Sequence, residues 1–197
     1  VEAWRTAPYQ SAYGASKHGI QGFLQVLRVE LAHDKIPVSV TEILPAAINT
    51  PIYEKGRNKM PFKMRPVPPI YHPQIVTDAI IYAAENPVRD LVAGGAGLGV
   101  VYMERISPNL ADFFSEKIGF TGQNAGAKDS PEQYRDNLFS PVSGYDTVEG
   151  NFSAEQISVD PYTAYKTSPA AKKSLILGSI GIGGFLAWRF FNKKKSG

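Results

Sequence analysis

Cysteine is absent from this 197-residue chain, which excludes disulfides and thiolate metal sites and fits a reducing compartment. Histidine is scarce. His18, His33 and His72 are scattered, no two have the spacing that sets a pair of ligands on one helix face, and no metal site is expected. The chain opens Val1-Glu2-Ala3-Trp4, with no initiator methionine and no basic-then-apolar leader. No signal peptide is expected, and the start reads as the middle of a gene.

Acids are missing from the last stretch as well. From Lys172 onward stand six cations (Lys172, Lys173, Arg189, Lys193, Lys194, Lys195), leaving 15 Lys and Arg against 18 Asp and Glu in residues 1–171. The body is thus mildly acidic although the whole chain is +3, which argues against nucleic acid as a partner. An apolar fraction of 43% and an aromatic fraction of 11% describe a chain able to bury a core, with room for one domain and an appendage.

After a polar start, Ser11 is expected to cap a long helix reaching about Ala32, with Ile20, Phe23, Leu24, Leu27 and Leu31 on its apolar face. Val38, Val40, Thr41, Ile43 and Leu44 then form a β-branched run between prolines, the pattern of a buried parallel strand. Pro45-Ala46-Ala47-Ile48-Asn49-Thr50-Pro51 leaves the carboxyl end of that strand, the edge where open α/β sheets bind ligands. Residues 52–71 read equally well as a flap over a site or as a surface excursion. A second helix follows His72-Pro73, with Ile75, Val76, Ala79, Ile80 and Ala83 on one face, and Asp90 to Ala93 is a second strand. The run Gly94-Gly95-Ala96-Gly97-Leu98-Gly99 has Val100 where a dinucleotide turn needs its last glycine, so a tight strand-to-helix turn is expected instead. Residues 100–118 read as helical, interrupted at Ser107-Pro108.

From 121 to 173 the composition turns to Gly, Asn, Asp, Ser and Pro with isolated aromatics such as Tyr134, Phe139 and Tyr145. That is mostly loop, draped on the domain. Residues 174–191 form an 18-residue stretch whose only charge is Arg189, about 27 Å long as a helix, and a single membrane-spanning anchor is the first reading. A surface-lying or self-associating helix is the second. Ser179, Gly183 and Ala187 make a small-residue ladder suited to close pairing, including pairing of two copies. Residues 192–197 are a basic tail.

The chemistry-bearing stretch is Tyr13-Gly14-Ala15-Ser16-Lys17. On a helix, Tyr13 and Lys17 leave one face a turn apart. A fixed cation beside a phenol favours the phenolate and lowers its pKa towards the range useful for acid/base work. The pair by itself is equally a solvated helix face.

Taken together, Tyr13, Ala15, Ser16 and Lys17, then a buried strand, then Pro45, Ile48 and Thr50, resemble the second half of the short-chain dehydrogenase/reductase family. The resemblance extends through about residue 118. It implies an α/β fold, the C-terminal half of a Rossmann-like doubly wound parallel sheet over 1–120, followed by the loop-rich extension and the transmembrane segment. By this resemblance Tyr13 exchanges a proton with the substrate oxygen while hydride moves to or from a nicotinamide. Lys17 lowers the tyrosine pKa and holds the ribose, and Pro45, Ile48 and Thr50 line the cofactor, which is NAD or NADP. Tyr13 and Lys17 are thus both catalytic and cofactor-binding.

Two departures stand out. Ala46 replaces a usual glycine, and the family's Gly-rich turn, catalytic Ser and Asn all lie upstream, the Ser at or just before Val1. The resemblance therefore implies an alcohol- or ketone-converting, membrane-associated enzyme with its catalytic part on the cytoplasmic side, inactive as this chain alone. The alternative is a non-catalytic, membrane-tethered interaction module.

Overall fold

The computed structural model describes residues 1–128 and 136–168. Its first element is α1 (Ser11–His33). Ser11 is the first helical residue and not the cap. Gln10 takes that place without a side-chain cap bond, because its amide is turned to Gln123 Oε1 at 2.7 Å. Asp34 ends the helix, and Lys35 takes a left-handed φ of 56° as the chain turns back.

The strand after it is shorter than the β-branched run implied. β1 spans Glu42–Pro45, and Val38 stays exposed. Only the stretch that meets a partner becomes strand: β1 pairs in parallel with β5 (Asp90–Ala93), Glu42 opposite Asp90 and Pro45 opposite Ala93. Between them runs α3 (Gln74–Glu85), which buries Ile75, Ala79 and Ala83. Ile80, expected on the same face, is exposed, since it lies to one side of the Ile75-Ala79-Ala83 line. Helix and parallel strand alternate as in a Rossmann-type α/β unit.

A second parallel sheet joins β2 (Ala47–Ile48), β4 (Ile70–Tyr71) and β7 (Gln156–Ile157), in the order β2-β4-β7. Residues 52–71 contribute α2 (Ile52–Lys55), β3 (Phe62–Met64) and β4. β3 pairs antiparallel with β6 (Asn124–Lys128). β7 and α7 (Pro161–Thr167) likewise come from the stretch whose composition reads as loop.

The glycine run is a strand-to-helix turn. Gly94 has φ 99°, a conformation open to glycine, and α4 (Gly95–Ile106) begins at once. α5 (Pro108–Phe114) follows, with Ser107 as cap accepting from the Leu110 N–H. A π-helical turn (Ser115–Gly119) and α6 (Phe120–Gly122) complete this arm. The main core holds Tyr71, Ile75, Ala79, Leu91 and Ala93, and a smaller cluster holds Ala3, Leu44 and Val92.

Among the described residues no helix is long and apolar enough to cross a membrane. The segment 174–191 and the basic tail lie outside them.

Candidate functional site

The first turns of α1 are set by contacts with residues 3–7. Gly14 is buried against Thr6, where an added Cβ would come within 2.0 Å of Thr6 Oγ1. This glycine lets the Tyr13 turn seat on residues 3–7. Gln21 strengthens the seat, its amide oriented to donate to the Ala3 carbonyl (3.1 Å) and accept from Trp4 Nε1 (2.7 Å). Arg5 anchors the same segment to α4 and α5 through Glu104 and Asp112, at 3.1 and 2.7 Å.

Tyr13 and Lys17 are neighbours as their spacing requires. The Lys17 Nζ lies over the Tyr13 ring, 5.1 Å from its centroid. Tyr13 is 49% exposed, yet its hydroxyl is pushed above the ordinary tyrosine value, first by burial and then by the Glu2 carboxylate. This is opposite to the direction expected from the Tyr13–Lys17 spacing. The ammonium over the ring face acts as a cation–π partner, and desolvation and Glu2 set the direction of the shift. Glu2 is itself raised, chiefly by burial, although its Oε2 accepts from the Ala7 N–H at 3.1 Å.

Pro45 ends β1, Ile48 ends β2 and Thr50 follows it, so the segment expected as a plain loop carries a short strand that pairs with β4. Ala46 donates its N–H to the Ala93 carbonyl at 2.8 Å and is not among the residues with positive φ. Its methyl fits because it faces glycines: a Cβ on Gly94 would approach it to 2.8 Å, and one on Gly97 to 3.3 Å. The Val1 nitrogen donates to the Pro45 carbonyl at 2.8 Å.

Among the described residues no hydrogen bond joins Tyr13 or Lys17 to this loop. The link is Tyr53 on α2, whose hydroxyl is pushed up to about 12 by burial, then by Glu2, Tyr13 and Glu54. Its ring packs edge-on against Phe152 at 6.1 Å. Glu2 and Tyr53 carry no motif signal, and sequence reasoning passed over both.

A dinucleotide needs a home for its phosphates, and the start of α4 is already filled. Gly94 N–H donates to Thr163 Oγ1 (3.0 Å), Gly95 N–H to Asp160 Oδ2 (3.1 Å) and Ala96 N–H to the Tyr71 hydroxyl (3.0 Å). Asp160 also caps α7, accepting from the Thr163 N–H and hydroxyl at 2.8 and 2.7 Å. The first amides of α4 are therefore taken up by protein acceptors and do not offer a pyrophosphate site. No group of three or more His, Cys, Asp or Glu able to hold a metal occurs among the described residues.

Comparison with known proteins points to one family. Residues 2–61 match the model of the short chain dehydrogenase family. Over 127 residues, 63% of this chain, it is 35% identical to a Bacillus subtilis (strain 168) protein described as an uncharacterized oxidoreductase, YxnA. No solved structure matches. The chain is thus similar to the short chain dehydrogenase family, the family match ending at residue 61, well short of 118. It spans about a third of that relative, 35% of its length.

Proposed function

We propose that this chain is the C-terminal part of an NAD- or NADP-dependent oxidoreductase that interconverts an alcohol and a ketone, with Tyr13 as the proton-transfer residue. The observation that carries the reading is the Tyr13–Lys17 pair on a helix seated beside Glu2 and Tyr53, one strand away from the Pro45–Thr50 loop. A nicotinamide dinucleotide, when bound, would supply or accept the hydride. Lys17 would hold its ribose, and Pro45, Ile48 and Thr50 its nicotinamide end.

Tyr13 moves a proton at its hydroxyl oxygen. With a pKa above the ordinary 10.0, the phenol keeps its proton at neutral pH and is set to donate it to a carbonyl oxygen. Alcohol oxidation needs the phenolate, so that direction gains as pH rises.

The nucleotide half would precede Val1. α1 leaves Ile20 and Phe23 exposed, and among the described residues β1 pairs with β5 alone, which leaves a sheet edge for further strands. In this reading residues 1–120 complete a Rossmann-type domain, 121–173 form its extension, and 174–191 anchor it to a membrane. The apolar run and flanking lysines of the tail support the anchor, and carbonate extraction that released all the protein would rule it out.

The test is Tyr13→Phe in the intact protein. Turnover falls by about 10² to 10⁴ while dinucleotide binding persists; unchanged turnover sinks the reading. One observation favours a non-catalytic, membrane-tethered module instead: Lys17 lies over the ring and leaves the phenol pKa high. Intact protein that binds neither NADH nor NADPH would decide for it.

A further inference from the structure

We propose that Asn49, gripped by a strap made of residues 149–157, is a positioning residue for the nicotinamide end of the cofactor. The proposal rests on the reading above, in which Ile48 and Thr50 face that group. Asn49 stands between them and is fully buried, 0% exposed. Its backbone is tied on both sides: its N–H donates to the Tyr71 carbonyl (2.9 Å), and its carbonyl accepts from the Gly150 N–H (3.3 Å).

Its side chain is tied as completely. Oδ1 accepts from the Phe152 N–H at 3.2 Å, while Nδ2 donates to Gln156 Oε1 at 2.9 Å and to Ser153 Oγ at 3.3 Å. The direction of these bonds is set one step further out. Glu149 Oε2 accepts from Gln156 Nε2 (2.6 Å) and from Ser153 Oγ (2.9 Å). That leaves the Gln156 oxygen and the Ser153 lone pairs to receive the Asn49 amide. The other Glu149 oxygen meets His72 Nε2 at 3.1 Å, and His72 Nδ1 accepts from the Gln74 N–H, which assigns the ring hydrogen to Nε2.

The strap is also fixed as backbone. Gln156 and Ile157 pair in parallel with Ile70 and Tyr71, and the His72 N–H donates to the Ile157 carbonyl at 3.0 Å. Gly150 lies so close that an added Cβ would come 2.6 Å from the Thr50 carbonyl oxygen. A segment beyond the family match at 2–61 thus holds from behind the loop whose front would meet the carboxamide. Such support from behind pre-sets a binding edge and spares it ordering on binding.

The experiment compares, in the intact protein, affinity for NADH or NADPH with affinity for ADP-ribose, which lacks the nicotinamide. Asn49→Ala is expected to weaken the dinucleotide about tenfold, the effect of leaving the Phe152 N–H and the Gln156 amide oxygen without their partner. ADP-ribose binding stays within about twofold, an asymmetry that general destabilisation would not produce. Asn49→Asp behaves likewise, because it sets an acceptor against Gln156 Oε1 and Ser153 Oγ. Combined with Glu149→Gln it recovers, since the Gln156 amide can then turn over. Should Asn49→Ala fail to fold, Ser153→Ala, which removes one bond, gives the same asymmetry at about threefold. Equal loss of both ligands, no loss of either, or no recovery in the double variant overturns the proposal. Wild-type protein that binds neither NADH nor NADPH overturns the oxidoreductase reading and this role with it.

Discussion

Helices α1 and α3 carry the same kind of signal, an apolar face repeating every three to four residues, and meet opposite fates. α3 lies on β1 and β5 and buries Ile75, Ala79 and Ala83. α1 buries only Gly14 and leaves Phe23 64% and Val29 69% exposed. An amphipathic period says which face needs cover, not whether the cover is at hand. For α3 it is the sheet; for α1 it is not among the described residues, although the helix is pinned below by Gln21 and at its end by Arg28, which donates to the Val40 and Arg89 carbonyls at 3.0 and 2.7 Å.

The contrast is sharpest under truncation. Ile75→Ala is expected to cost about 2–5 kcal/mol, since it opens a cavity in the main core, read as a shift in urea midpoint of the 197-residue chain. A loss below 1 kcal/mol would put α3 in the same class as α1. Asp160→Ala should cost about 1–2 kcal/mol by removing the cap of α7 and the partner of the Gly95 N–H, with hydrogen exchange rising at Gly94 to Ala96. Exchange unchanged at those amides would mean the turn does not depend on the carboxylate.

A smaller effect belongs to the site. Glu2→Gln removes the charge that, after burial, raises Tyr13, so the phenol pKa falls and the rise of alcohol oxidation with pH begins earlier in the intact protein. A profile that stayed put would remove Glu2 from the site. Smallest of all, Phe23→Asp should stay within about 0.5 kcal/mol in the 197-residue chain, as exposed positions do. A large loss there would show that α1 is covered after all.

How much of this was legible depended on how local each cause is. Asp90–Ala93, the Gly94 turn and the break at Ser107-Pro108 follow from neighbouring residues, and all three appear where expected. The Tyr13–Lys17 adjacency is a consequence of helical spacing. The phenol pKa was not legible, because it depends on burial and on Glu2, eleven residues earlier. Ser11 lost the cap to Gln10 for a similar reason, a contact made across 113 residues. Residues 156–157 and 161–167 read as linker because their strand and helix are made by what they dock on, Ile70-Tyr71 and Gly94-Gly95.

Gln123 ties the start of α1 to residues well beyond the family match. This residue is almost fully buried, and its amide donates to the Gly119 and Pro8 carbonyls at 2.7 and 3.1 Å while accepting from Gln10. Its own carbonyl receives the Arg65 N–H. A fragment trimmed to the family match would lose this strut, the Arg5 anchor and the Asn49 strap together. The smallest piece that keeps the Gln123 strut extends past residue 123, and the smallest that also keeps the contacts on Asn49 extends to Ile157.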